Sequence, residues 1–174
     1  MSPTGVRAVK KKFAGVRKAR VADAPAIHAL VNWFARKEKM LPLSLGLVYE
    51  RLRDFFVYEK RGRVLGCGAL HVVWEDLAEV RSLAVQREYQ RRGIGTALFQ
   101  ACVAEAPQLG IRRLFTLTFV PEFFQKMGMA GVGKDTLPHK VWSDCVRCPR
   151  FPSCDEVALI ADVDETGLHS RKET

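Results

Sequence analysis

"QRRGIGTALFQAC", residues 90–102, decides how this chain is read: two glycines stand two positions apart, with basic residues before them and an apolar-periodic run after them. A helix amino terminus exposes N–H groups that no earlier turn can use, together with a partial positive charge. Glycines at that point let the main chain approach a phosphate, so the amides from Arg91 to Thr96 form a candidate anion cradle. The same pair of glycines also fits a plain tight turn. The dinucleotide fingerprint is excluded because its third glycine falls on Leu98, and the P-loop because no Gly-Lys-Ser/Thr follows.

Outward from this loop, "LAEVRSLAV" (Leu77 to Val85) precedes it as a strand and "RRLFTLTF" follows it as an apolar, central strand. Upstream, "FFVYEK" and "VLGCGALHVVW" make a hairpin about Arg61-Gly62-Arg63, the second strand holding glycines that bend it or admit a close neighbour. "VRKARV" starts a first strand, and Asp23 is placed to cap a helix through "APAIHALVNWFARKEK", with Ile27, Leu30, Val31 and Phe34 on one face. "MLPLSLGLVYERLRDF" reads as a mobile connector holding a short helix near Leu47 to Leu52. Downstream, "PEFFQKM" is a short helix opened by Pro121, "KVWSDC" and "DEVALIADV" are further strands, and "ETGLHSRKET" is a polar tail. The expected organisation is a basic tail at 1–15, one domain at 16–165 and a polar tail at 166–174.

The bulk numbers agree with a conventional globular fold. Of the 174 residues, 48% are apolar and 27% charged, which argues against general disorder. The net charge of +9 invites a nucleic-acid partner, but much of it sits in "VRAVKKKFAGVRKAR" and "YQRR", and a solvated basic terminus explains the first cluster. Nucleic acid is therefore not the expected partner. No apolar stretch is long enough to cross a bilayer and the amino end has no apolar signal core, while the five cysteines read as reduced thiols. A cytoplasmic setting with no membrane partner follows.

The order of parts, strand, "QREYQRRGIGTALF", strand, then "FFQKMGM", resembles the GNAT family of acetyl-coenzyme A dependent N-acetyltransferases. The family's loop has Gln or Arg, two residues, Gly, one residue, then Gly or Ala, and Gln90-Arg91-Arg92-Gly93-Ile94-Gly95 matches at each fixed position. The resemblance runs from about Val16 to the carboxyl strands. It implies an α/β (α+β) fold with a mixed, mostly antiparallel sheet of about six to seven strands, helices on both faces and a splayed pair of central strands. It also implies that Gln90, Arg91, Arg92, Gly93, Ile94, Gly95 and Thr96 hold the diphosphate of acetyl-CoA. Leu83, Ala84 and Val85 would pair with pantetheine, and Phe123 and Phe124 serve as its wall or as core.

"GCGALHVVWEDLAEVRSLAV", "LFTLTFVPEFFQKMGM" and "LPHKVWSDCVRCPRFPSCDEVALI" are similar to the N-acetylglutamate synthase branch of that family, in a short form without a kinase-like domain in front. The acceptor implied is L-glutamate, with another small amine, amino acid or protein terminus as the alternative, and a basic RNA-binding module as the reading of another class. Glu79 is the implied general base and a backbone N–H near Leu83 or Ala84 the oxyanion donor. Arg81, Ser82, Lys140 and Arg150 are the implied carboxylate anchors. Two departures stand out: relatives place an arginine where this chain has Leu43, and a tyrosine acid where it has Phe124. His139, Cys145, Cys148 and Cys154 could hold zinc, but the single C-x-x-C pair favours packed thiols. A homodimer is common in the family, and no segment here fixes an interface.

Overall fold

In the computed structural model, the described residues are 13–138, 145–146, 148 and 150–169. They group into two compact units, one comprising the chain up to Leu70 with Val80–Glu105, the other His71–Glu79 with the chain from Ala106. Two strands, β3 (Arg63–Trp74) and β4 (Leu77–Val85), run through both. The sheet follows the order β1 (Val16–Lys18), β2 (Phe55–Lys60), β3, β4, β5 (Arg113–Thr118), β7 (Val157–Asp164), β6 (Ala130–Val132), with β8 (Gly167–His169) added to β7. The path thus holds seven strands.

In the first unit, β2 and β3 pair antiparallel from Lys60↔Arg63 onward, through a two-residue turn whose residues Arg61 and Gly62 both have positive φ. That backbone matches the twist of a two-residue hairpin. Side chains on β3 alternate faces: Cys67 and Ala69 join a core with Ile27 and Val31 of α1 (Ala24–Ala35) and Val48 of α2 (Leu45–Glu50). Gly66, on the opposite side of the alternation, meets Leu98 and Ile94 of α3 (Ile94–Glu105). A Cβ at Gly66 would lie 3.0 Å from Leu98 Cδ1 and 3.1 Å from both the Ala84 carbonyl and Ile94 Cγ2. One at Gly68 would lie 2.9 Å from Leu83 Cδ1. The two glycines therefore admit close neighbours, as their spacing on the strand suggests.

Asp23 does not cap α1. Its own backbone is helical and its carboxylate turns back to accept from Arg17 (Nη1 at 2.6 Å, Nη2 at 3.0 Å) and from the Arg20 amide at 2.7 Å. The guanidinium holds this buried carboxyl below its ordinary range. The helix also stops at Ala35, before the charged Arg-Lys-Glu-Lys run, whose Glu38 has a positive φ.

The second unit is built on β5 and β7, antiparallel over six pairs from Arg113↔Asp162 to Thr118↔Val157. Leu77, Phe115, Leu137, Ala158 and Ile160 form its core. Asp76, in the turn between β3 and β4, accepts both arms of Arg113 at 2.9 Å. Two strands here carry no sequence expectation: β6 follows α4 (Pro121–Lys126), and β8 arises within the stretch read as a polar tail. The expected strand "KVWSDC" falls outside the described residues apart from Cys145.

Candidate active site

Strand β4 positions the candidate chemistry. Among the described residues it pairs with β5 in parallel at Leu77↔Arg113, Ala78↔Leu114 and Glu79↔Phe115, so the edge from Val80 to Val85 carries no β5 partner. Within that stretch Ser82 has φ of +53°, the left-handed region that a non-glycine residue seldom enters, and the strand is locally irregular there. The Cys67 thiol lies beneath: its Sγ donates to the Ser82 carbonyl at 3.5 Å. Ala84 was one of two expected oxyanion donors. The other, Leu83, is its neighbour on the same stretch of β4.

The loop after β4 is fastened at both ends. Gln86 donates its amide N–H to the Leu65 carbonyl and its side chain to Val64, both at 2.8 Å, while Gln90 Nε2 reaches back to the Val85 carbonyl at 3.1 Å. Gln90 thus braces the loop through its side chain. Arg91 and Gly93 both have positive φ, and the space where a Cβ of Gly93 would stand is open. The first intrahelical bond of α3 runs from Ala97 N–H to the Gly93 carbonyl at 2.9 Å. The N–H groups of Gly93, Ile94, Gly95 and Thr96 accordingly have no intrahelical acceptor. Exposed Arg91 and Arg92 flank them, and Arg92 stacks over Tyr89 with 5.4 Å to the ring centroid. Such a cradle suits a diphosphate.

The expected acceptor residues divide. Arg81 and Ser82 line one small recess together with Leu43, and the recess adds Arg51 and Asp54, which no sequence signal marked. Arg150 instead lies 4.8 Å over the Phe119 ring and 3.4 Å from Asp155. Lys140 and His139 lie outside the described residues. Phe124 is only 4% exposed and packs edge-on against half-buried Phe123, so its place is in the core.

Glu79 is half-buried at the last β5 pair. Burial, then the charges of Cys154, Glu156, Glu79 and Cys148, push the Cys145 thiol up, which places these groups within electrostatic reach of one another. Among the described residues no three metal-ligating side chains converge.

The family is now plain: residues 25–129 match the acetyltransferase (GNAT) family, and the chain belongs to it. It is an acetyl-CoA-dependent N-acetyltransferase. An uncharacterized N-acetyltransferase of Chlorobaculum tepidum is 40% identical over 145 residues, covering 83% of this chain and 94% of the relative. An amino-acid acetyltransferase of Mycobacterium tuberculosis is 38% identical over 135 residues, covering 76% and 77%. The N-acetylglutamate synthase of Neisseria gonorrhoeae, solved with coenzyme A and N-acetyl-glutamate, superposes with a TM-score of 0.79 at 27% identity, covering 86% of this chain and 35% of that longer one.

Proposed function

We propose that the chain transfers acetyl from acetyl-CoA to the α-amine of L-glutamate. The observation that supports the acceptor is the placement of Arg51 and Arg81 beside Ser82, whose backbone makes the irregularity of β4, around a recess with room for about one water. Two guanidinium groups suit a substrate with two carboxylates, because each fork offers paired donors. Arg51 supplies a cation where Leu43 supplies none. The Mycobacterium and Neisseria relatives, named for amino-acid and glutamate acetylation, support the same acceptor class.

Acetyl-CoA supplies the activated acyl group, and the residues of this chain hold and polarise it. The open amides from Gly93 to Thr96 receive the diphosphate, with Arg91 and Arg92 adding charge. The β4 edge at Leu83 to Val85 takes the pantetheine arm as a further strand would lie. Glu79 removes the proton from the substrate ammonium, directly or through water, and the free amine attacks the thioester carbonyl. The Leu83 N–H meets the resulting oxyanion. Collapse expels coenzyme A as its thiolate, which then takes a proton from solvent, so Phe124 in place of an acid is compatible with turnover.

Leu43 and the acidic Asp54 favour a second reading in which the acceptor carries one carboxylate fewer. Release of free CoA thiol across a panel of amino acids and small amines tests both. L-glutamate should give the highest kcat/KM; a neutral amino acid exceeding it by tenfold would move the assignment to the second reading.

A further inference from the structure

We infer that Cys67 is a positioning residue, whose thiol holds the peptide between Ser82 and Leu83 so that the Leu83 N–H is aimed at the acyl group. The inference rests on the acetyl-transfer reading of β4 given above.

The geometry begins with the trans peptide, in which C=O and N–H point in opposite directions. The Ser82 carbonyl points to Cys67 on β3, so the N–H of Leu83, in the same peptide, points away from β3. That is the side of β4 where the β5 register has ended after Glu79. The positive φ of Ser82 sets how the 82–83 peptide is turned relative to the one before it, and the thiol bond falls on that turned peptide.

Cys67 is fully buried, and burial pushes its thiol up to about 12, so it stays protonated and able to donate at neutral pH. It has no place as a nucleophile. Its neighbours Gly66 and Gly68 leave no room for the strands to readjust freely, since Leu83 and Leu98 already fill the space a Cβ would need. The thiol is thus the group within the strand pair that selects this peptide orientation.

The test compares Cys67→Ala, Cys67→Val and Cys67→Ser in the full chain. A buried hydroxyl is costlier than a methyl, so a purely structural role ranks the serine variant lowest in stability and activity alike. Positioning predicts opposite rankings. The alanine and valine variants should lose at least tenfold in kcat while the KM for acetyl-CoA moves less than about threefold, and serine, which keeps a donor and an acceptor, should retain at least tenfold more kcat than alanine. Activity that follows melting temperature across the three would overturn the inference. Crystal structures with coenzyme A separate it from the reaction itself: Ser82 should leave the positive-φ region in the alanine variant, and its staying there refutes the role of Cys67. A parent enzyme that acetylates nothing in the amine panel refutes the reaction, while the backbone of the variant still decides the role of Cys67.

Discussion

Gly66→Ala tests the close approach of β3 to β4 and α3. The added methyl would stand 3.0 Å from Leu98 Cδ1, 3.1 Å from Ile94 Cγ2 and 3.1 Å from the Ala84 carbonyl oxygen. Carbon contacts are optimal at about 3.5–4.0 Å, so each side-chain contact is short by roughly half an ångström or more. Leu98 is fully buried and has little freedom to yield, and the carbonyl belongs to the backbone. Overpacking of this kind costs about 1–3 kcal/mol, and we expect about 2 kcal/mol, offset slightly by the lower entropy of the unfolded alanine chain. For a chain of this length that corresponds to a fall of about 4–8 °C in melting temperature. Because Ile94 opens α3 and Ala84 lies in β4, relief of the clash also displaces the cradle, and affinity for coenzyme A should fall with stability. Differential scanning calorimetry and isothermal titration measure the two effects. Gly131→Ala, at an exposed site in β6 where an added methyl would meet only open space, serves as the control and should be neutral or slightly stabilising. A Gly66→Ala protein that melts and binds like the parent would refute the packing described for this strand.

Three further expectations concern charge. Gly93→Asp should weaken coenzyme A binding by at least a hundredfold in titration calorimetry, whereas Gly93→Ala, which meets only open space and loses about 1 kcal/mol to its positive φ, should bind far better; equal losses would remove electrostatics as the cause. Glu79→Gln should lower kcat/KM by about a hundredfold below pH 8 and by less above it, where free amine is abundant, and a pH profile of unchanged shape would exclude the base role. Asp23→Asn should destabilise by about 2 kcal/mol near neutrality. Since Arg17 lowers the folded pKa of Asp23, its stabilisation is present above the unfolded value of about 3.9 and is lost as pH falls further through the folded value. Urea midpoints of parent and variant should therefore converge below about pH 4.

The backbone plan was largely legible because it rests on local rules. Alternation, the Arg61-Gly62 turn and the Gly-Ile-Gly entry into a helix each carry their own physical signal. Asp23 illustrates the limit: a carboxylate before a helix suits a cap, but Arg17 on the neighbouring strand offers two charge-assisted bonds and takes it instead. Ser82 gives no warning of its positive φ, because a serine carries none of the permissiveness that marks glycine. Arg51 and Asp54 reach the recess only through tertiary packing, and β8 needs β7 as a template before the short Gly-Leu-His triplet becomes a strand.

The bonds from Gln86 to β3 and from Gln90 to Val85 have a thermodynamic consequence. A segment already ordered before its ligand arrives surrenders little freedom on capture, and each rotamer-rich side chain spared immobilisation retains about 0.5–1.5 kcal/mol for affinity. Encounter with the nucleotide end of the carrier should then resemble docking onto a finished surface, its speed set by diffusion and charge and not by a folding step.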